Sequence, residues 1–242
     1  MSIAISEQKT ISDAYTSTAR VDMAGSETLL LDVSVGPFDM ELQRRIWALS
    51  KTILQSIEHV REVVPGVNNL MVVFDPLTIT YSELAAEVLA LWAVAQPYSQ
   101  QGRLFEIPVY YGGAAGEDLA LLAQRADMTE EQFVEHHSQA SYEVICLGAM
   151  PGYAYLAGLP PELSSPRRAV PRIKLPKGSV IIGGSQASIL PADGPCGWHV
   201  IGTADLEMFD PHRTPNCLMS PGDRVRFIVM GFESSVPKKG EI

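Results

Sequence analysis

Three shortages frame this chain of 242 residues. Cysteine is scarce: Cys146, Cys196 and Cys217 lie far apart, with no C-x-x-C pair, which speaks against a structural zinc site or a dithiol redox motif and fits a reducing cytosol. Positive charge is scarce as well, with 18 Lys+Arg against 28 Asp+Glu and a formal net charge of -10, so neither nucleic acid nor an anionic membrane surface suits the molecule as a whole. Long apolar runs are missing: the stretch Leu84 to Ala95 is interrupted by Glu87 and falls well short of the roughly 20 residues that span a bilayer. The start of the chain has no basic n-region followed by an apolar h-region, so it is not a secretory signal, and residues 1–20 read as a loose tail.

Common short motifs are also absent. There is no G-x-x-x-x-G-K-[ST] phosphate loop, no G-x-G-x-x-G after a strand, no H-E-x-x-H and no G-x-S-x-G elbow. Lys177-Gly178-Ser179 echoes a phosphate loop, but its first glycine is missing and Pro176 sits inside it, so a plain turn is the reading. No metal site is expected.

What is there is the composition of an ordinary globular protein, 46% hydrophobic and 19% charged, enough for one sizeable core or two small ones. A strand begins at about Leu29 and runs through Val35. The spacing of Leu42, Ile46, Leu49, Ile53 and Ile57 predicts a helix over Phe38 to Ile57 with one buried stripe. His59–Val64 and Asn69–Phe74, separated by Pro65-Gly66, read as a hairpin. Thr80 and Glu83 form a capping box ahead of a second helix carrying Leu84, Val88, Leu91 and Trp92. This β-α-β-β-α order is most of a split βαβ unit, and it predicts a small ferredoxin-like α+β domain over residues 21–100. After a linker, a strand runs from Phe105 to Tyr111, and two short helices follow, the second opened by Thr129 and Gln132. His136 and His137 sit at the end of that helix, where the dipole accounts for at least one of them. From Ser141 to Val229, short apolar runs alternate with Gly- and Pro-rich turns, the texture of a barrel or sandwich, and residues 105–232 are expected to form this second domain. The end from Lys238 to Ile242 is polar.

Three stretches could carry chemistry. In Gly148–Gly158, Gly148 and Gly152 let a backbone approach a ligand, while Tyr153 and Tyr155 offer ring faces and hydroxyls; the alternative is a structural turn whose tyrosines cap the core edge. Arg167, Arg168, Arg172, Lys174 and Lys177 place 5 of the 18 Lys+Arg within eleven positions, with no acid between Glu162 and Asp193. Arginines braced by proline suit a bidentate grip on a carboxylate or phosphate, unless acids elsewhere in the chain pair with them. Gln186 can present donor and acceptor to an amide, and Gly197-Trp198 can wall a pocket, although a Trp on a short strand also suits a core. Cys196 and His199 are close in sequence, but nothing there supplies the orienting third group a nucleophile and base need. No catalytic residue is assigned.

The ordered set Tyr142–Leu156, Pro166-Arg167-Arg168, Pro171-Arg172, Pro176-Lys177-Gly178-Ser179-Val180, Gln186, Pro195-Cys196-Gly197-Trp198-His199, Phe209-Asp210-Pro211 and Pro221-Gly222-Asp223-Arg224-Val225-Arg226-Phe227 resembles the allophanate hydrolase subunit 1 family. Upstream, Val60–Pro65 and Phe74-Asp75-Pro76 look like its N-terminal half. The resemblance implies a small α/β domain followed by a cyclophilin-like β-barrel. It implies a B-type subunit of a multi-subunit, ATP-dependent amide hydrolase, most nearly a 5-oxoprolinase, working with a C-type subunit of related barrel fold and a separate A-type subunit, with any ATP site shared with a partner. Two alternatives come with the family: a non-catalytic inhibitor of a histidine kinase, and a carboxyltransferase-type subunit acting on urea or a related small amide. The implied substrate-binding set is Gly148, Gly152, Tyr153, Tyr155, Arg167, Arg172, Gln186, Gly197 and Trp198. The sequence departs from the family at Ala149 and Tyr153, each in place of Phe, at Cys196, in place of Gly, and at Thr203-Ala204-Asp205, in place of R-T-P.

Overall fold

A computed structural model describes residues 19–34 and 36–234. Most of the tail expected over 1–20, the strand end at Val35 and the polar end from Lys238 lie outside the described residues; Arg20 already opens a strand. The chain divides into two compact units, Met1–Gln100 and Gln101–Ile242.

The first unit runs β1 (Arg20–Met23), β2 (Thr28–Asp32), α1 (Met40–Ser56), β3 (Val60–Pro65), β4 (Asn69–Phe74) and α2 (Tyr81–Val94). Asp39 starts α1 because its carboxylate accepts from the amides of Glu41 and Leu42, and the expected stripe Leu42, Ile46, Leu49 and Ile53 is buried. The Thr80–Glu83 capping box forms as read. At the other end of α2, Arg45 from α1 donates to the carbonyls of Trp92 and Ala95, and its guanidinium carbon lies 4.0 Å from the Trp92 ring centroid. A buried cation thus satisfies carbonyls that helix ends leave open.

The sheet order is β1-β2-β4-β3, with every neighbouring pair antiparallel. The helix α1 therefore crosses from β2 to β3 with β4 inserted between them, but the chain does not follow the expected ferredoxin-like order. That order places its last strand after the second helix, whereas here the edge beside β2 is filled by β1, which precedes everything else. The four residues of β1, Arg-Val-Asp-Met, hold only two apolar side chains and give almost no periodic signal. After α2 the chain passes through Pro97 and a polar run that makes no strand.

The second unit contains β5 (Leu104–Gly112), α3 (Leu119–Arg125), α4 (Glu130–Gln139), β6 (Tyr142–Leu147), β7 (Ala154–Ala157), β8 (Arg172–Leu175), β9 (Ser179–Gly183), β10 (Gln186–Ile189), β11 (Gly194–Cys196), β12 (His199–Thr203) and β13 (Arg224–Glu233). Seven strands close into a barrel in the order β10-β7-β6-β13-β5-β12-β9, and β8 and β11 form a separate two-stranded ribbon. Between barrel and sandwich, the punctuated strands thus resolve as a barrel, closed through a parallel β5–β13 pairing. Alternate residues fill the interior, among them Val109, Val144, Leu156, Val180, Ile182, Ala187, Ile201 and Phe227. Their neighbours Tyr153, Ile181, Leu190 and Val200 point to the opposite face, where a smaller apolar cluster includes Leu175 and Cys196 from the ribbon. No helix among the described residues is long and apolar enough to cross a membrane.

The two histidines of α4 part ways. His136 faces Glu162 at 3.0 Å on the surface, whereas His137 is fully buried, with Nδ1 2.9 Å from the Tyr111 hydroxyl and its carbonyl accepting from Tyr142. Burial lowers the His137 pKa to about 3. The unfolded chain takes a proton below about pH 6.5 that the folded barrel refuses, so this residue subtracts stability at about 1.4 kcal/mol per pH unit as pH falls from there. Urea unfolding of the wild type and His137→Gln between pH 7 and 4.5 should show the wild type losing stability more steeply; parallel profiles would mean that His137 is protonated inside the barrel.

Candidate functional site

The basic cluster finds its acids upstream. Gly116 ends a turn after β5, and the next two residues, Glu117 and Asp118, precede α3. Asp118 makes no side-chain cap on that helix; its carboxylate accepts from Arg168 Nη1 at 2.9 Å, from both Nη atoms of Arg172 at 2.8 and 3.0 Å, and from the Val200 amide at 2.8 Å. The Asp118 amide in turn donates to the Val200 carbonyl at 3.1 Å. Burial alone would raise the Asp118 pKa, but the hydrogen bonds from Arg172 and Val200 and the charges of Arg172 and Arg168 outweigh it and hold the group below the ordinary carboxylate range. Arg172 also meets Glu117 at 2.8 Å. Arg172, a candidate to grip a substrate, pairs with these two acids, with only 15% of its side chain exposed, and so braces β8 to the α3 entrance and β12.

His199 packs beside the same carboxylate, its Nδ1 3.8 Å from Asp118 Oδ2 and its Nε2 3.0 Å from the Pro166 carbonyl. Arg125 Nη1 lies 3.4 Å from the same nitrogen, so a carbonyl that only accepts and a guanidinium that only donates both face Nε2. Burial lowers the His199 pKa, which keeps the ring neutral. Cys196 engages elsewhere, its sulfur accepting from the Trp198 amide at 3.4 Å, so the two are not joined as nucleophile and base.

Beyond this brace lies an aromatic group. Tyr153 and Tyr155 have ring centroids 4.9 Å apart, and each lies 6.0 Å from Trp198. Tyr153 and Trp198 are buried while Tyr155 is half-exposed. Gly183 makes room for the indole: a Cβ there would stand 2.5 Å from the Trp198 ring. Gln186 is the register partner of Gly183 across the β9–β10 turn, which puts its side chain on the same sheet face. No side-chain hydrogen bond occupies Gln186 among the described residues. Arg167 is exposed, its guanidinium carbon 5.7 Å from the Trp198 ring centroid.

The glycines serve the protein first. Gly152 has φ +78°, and a Cβ on it would meet the Met208 carbonyl and the Phe209 Cβ at 2.8 Å, so its close approach is to the chain itself. Gly148 closes the turn by donating to the Tyr153 carbonyl at 3.1 Å, with only the Tyr155 ring near its Cβ position at 3.6 Å. The Gly197 carbonyl accepts from the Arg168 amide at 2.8 Å. Tyr153, Tyr155, Trp198 and Arg167 thus lie together, Gln186 shares their sheet face, and Gly152 and Arg172 make close contacts within the chain. The residues missed by sequence reasoning are Glu117 and Asp118, which lie some 50 positions from their arginines; an Asp just before a helix reads as an ordinary cap.

Lys177-Gly178-Ser179 is a turn: the Lys177 amide donates to Asp193, the Gly178 amide to Leu190 and the Ser179 amide to Pro176. These amides are occupied, so this stretch does not fit a phosphate. Among the described residues, no group of three or more His, Cys, Asp or Glu is arranged to hold a metal.

Removing either half of the Asp118–Arg172 pair strands the other, which costs about 3 kcal/mol for a buried pair. Urea unfolding of Asp118→Asn, Arg172→Gln and the double variant at pH 7 should give a coupling above about 1 kcal/mol; a coupling near zero would show the pair to be inert. Because the folded-state pKa is depressed, the carboxylate's contribution is complete at neutral pH and is lost only as pH falls below about 4.

The family described as carboxyltransferase domain, subdomain C and D, matches residues 19–219. A protein of Escherichia coli O157:H7, named as the B-type subunit of 5-oxoprolinase, is 39% identical over 210 residues, covering 87% of this chain and 95% of that protein. One of the same name from Haemophilus influenzae is 41% identical over 197 residues, 81% of this chain and 92% of that one. Among solved structures, Kluyveromyces lactis urea carboxylase superposes with a TM-score of 0.74 at 19% identity, over 87% of this chain and 22% of the larger one, a likeness of fold. The chain belongs to the carboxyltransferase domain C and D family, in agreement with the motifs spread along its sequence.

Proposed function

We propose that this chain is the B-type subunit of an ATP-dependent 5-oxoprolinase, which opens the lactam of 5-oxoproline to glutamate. The observation that carries this reading is the near end-to-end match to relatives named as that subunit, at 39–41% identity. The aromatic group with its unspent amide and cation is compatible with a small, flat, polar ligand.

The chemistry explains the need for ATP. Amide resonance makes the lactam carbon a poor electrophile. Transfer of the γ-phosphoryl group to the lactam oxygen, releasing ADP, activates that carbon; water adds, the C–N bond opens and the nitrogen takes a proton. A second water then cleaves the resulting acyl phosphate to glutamate and phosphate. In this scheme Tyr153, Tyr155 and Trp198 flank the ring and Gln186 meets the amide. Phosphate binding falls to a partner: the one stretch resembling a phosphate loop has its amides engaged. The partners in this reading are a C-type and an A-type subunit, in the cytosol.

Reconstitution with C-type and A-type subunits from the same organism should give ADP formation that depends on 5-oxoproline and on the presence of this chain. ADP release indifferent to 5-oxoproline would remove the proposal, and inhibition of histidine kinase autophosphorylation by the isolated chain would replace it with the inhibitor reading.

A further inference from the structure

Of the five cations between Arg167 and Lys177, four are spent on acids: Arg168 and Arg172 on Asp118, Lys174 on Asp193 at 2.9 Å and Lys177 on Glu207 at 2.6 Å. Arg167 alone of the five has no ion pair and no side-chain hydrogen bond among the described residues; its guanidinium lies over the face of Trp198, and its charge acts on the Tyr153 and Tyr155 hydroxyls. The backbone around it, by contrast, is pinned on both sides. The Pro166 carbonyl meets His199 Nε2 at 3.0 Å, the Arg168 amide donates to the Gly197 carbonyl at 2.8 Å, and the Arg168 side chain is tied to Asp118. Pro166 restricts its own φ as well. A guanidinium carried on a fixed backbone, with its five donors unused, is available to a planar anion.

We infer that Arg167 is the specificity determinant of this site, taking the carboxylate of the substrate in a bidentate grip beside Trp198 while Gln186 meets the amide. The inference rests on the lactam-opening reading and deepens it: what distinguishes 5-oxoproline from a plain lactam is one carboxylate, and Arg167 is the group placed to read it. Arg172, the other candidate for that role, has its donors committed to Asp118 and Glu117. A phosphate of ATP presents similar chemistry to a guanidinium, so the test separates the two anions.

The experiment compares 5-oxoproline with 2-pyrrolidinone, the same ring without the carboxylate, in the reconstituted complex carrying wild-type chain, Arg167→Gln or Arg167→Lys. Arg167 is exposed, and unchanged melting confirms that each variant folds. Loss of a charged, bidentate contact should lower the kcat/KM preference for 5-oxoproline about 100-fold in Arg167→Gln, with a smaller fall in Arg167→Lys and no change in the KM for ATP. An Arg167→Gln complex that keeps the wild-type preference overturns the inference, and so does a change falling on the KM for ATP. Equilibrium binding of both compounds, followed by tryptophan emission, keeps failures of the two readings apart. Carboxylate-dependent binding that is lost in Arg167→Gln, without any turnover in the wild type, sustains Arg167 and sinks the lactam-opening reaction; equal binding of 5-oxoproline by wild type and Arg167→Gln, or no binding of either compound, overturns the inference.

Discussion

The Asp118 carboxylate accepts four hydrogen bonds, one from Arg168, two from Arg172 and one from the Val200 amide, and through them ties together three stretches far apart in sequence. A buried acid is costly to desolvate, and this one is stabilised only because two guanidinium groups and a backbone amide surround it. The geometry of the neighbouring aromatic group follows from this brace. Trp198 precedes Val200 by two residues, Arg167 adjoins Arg168, and the ribbon strand that begins at Arg172 contributes Leu175 to the apolar cluster that contains Tyr153 and Trp198.

This arrangement divides labour between similar residues. Arg167 and Arg168 are neighbours of identical chemistry, yet one is consumed by structure and the other faces solvent over an indole ring. Gly152 and Gly148 differ likewise: the first is required by a positive φ and a tight approach to Met208 and Phe209, whereas a Cβ on the second would meet only the Tyr155 ring at 3.6 Å. Residue type states what a side chain is able to do; the partners present in the fold state whether that capacity is still free.

Legibility in the sequence follows the range of each interaction. Both capping boxes, Thr80 with Glu83 and Thr129 with Gln132, form as read, since three residues settle them. The stripe on α1 is equally local. Strand β1 escapes notice because four residues with two apolar side chains carry no period. Barrel-like texture is visible in the punctuated strands, but closure depends on β5 meeting β13, a pairing that no local pattern encodes. At the site, Tyr153, Trp198 and Arg167 lie together and Gln186 shares their sheet face, whereas the pairing of Arg172 is hidden from the sequence because Glu117 and Asp118 lie on the other side of two helices and two strands.

The parallel pairing of β5 with β13 also sets a timetable for the barrel's assembly. Arg103 and Asp223, joined at the head of that pairing, are separated by 120 positions, which a ribosome takes about 6–24 s to traverse at typical elongation rates. Until β13 emerges, β5 lacks one of its two barrel neighbours and the apolar interior stays open to water, a long-range closure that favours slow folding and leaves a nascent chain in need of protection from aggregation.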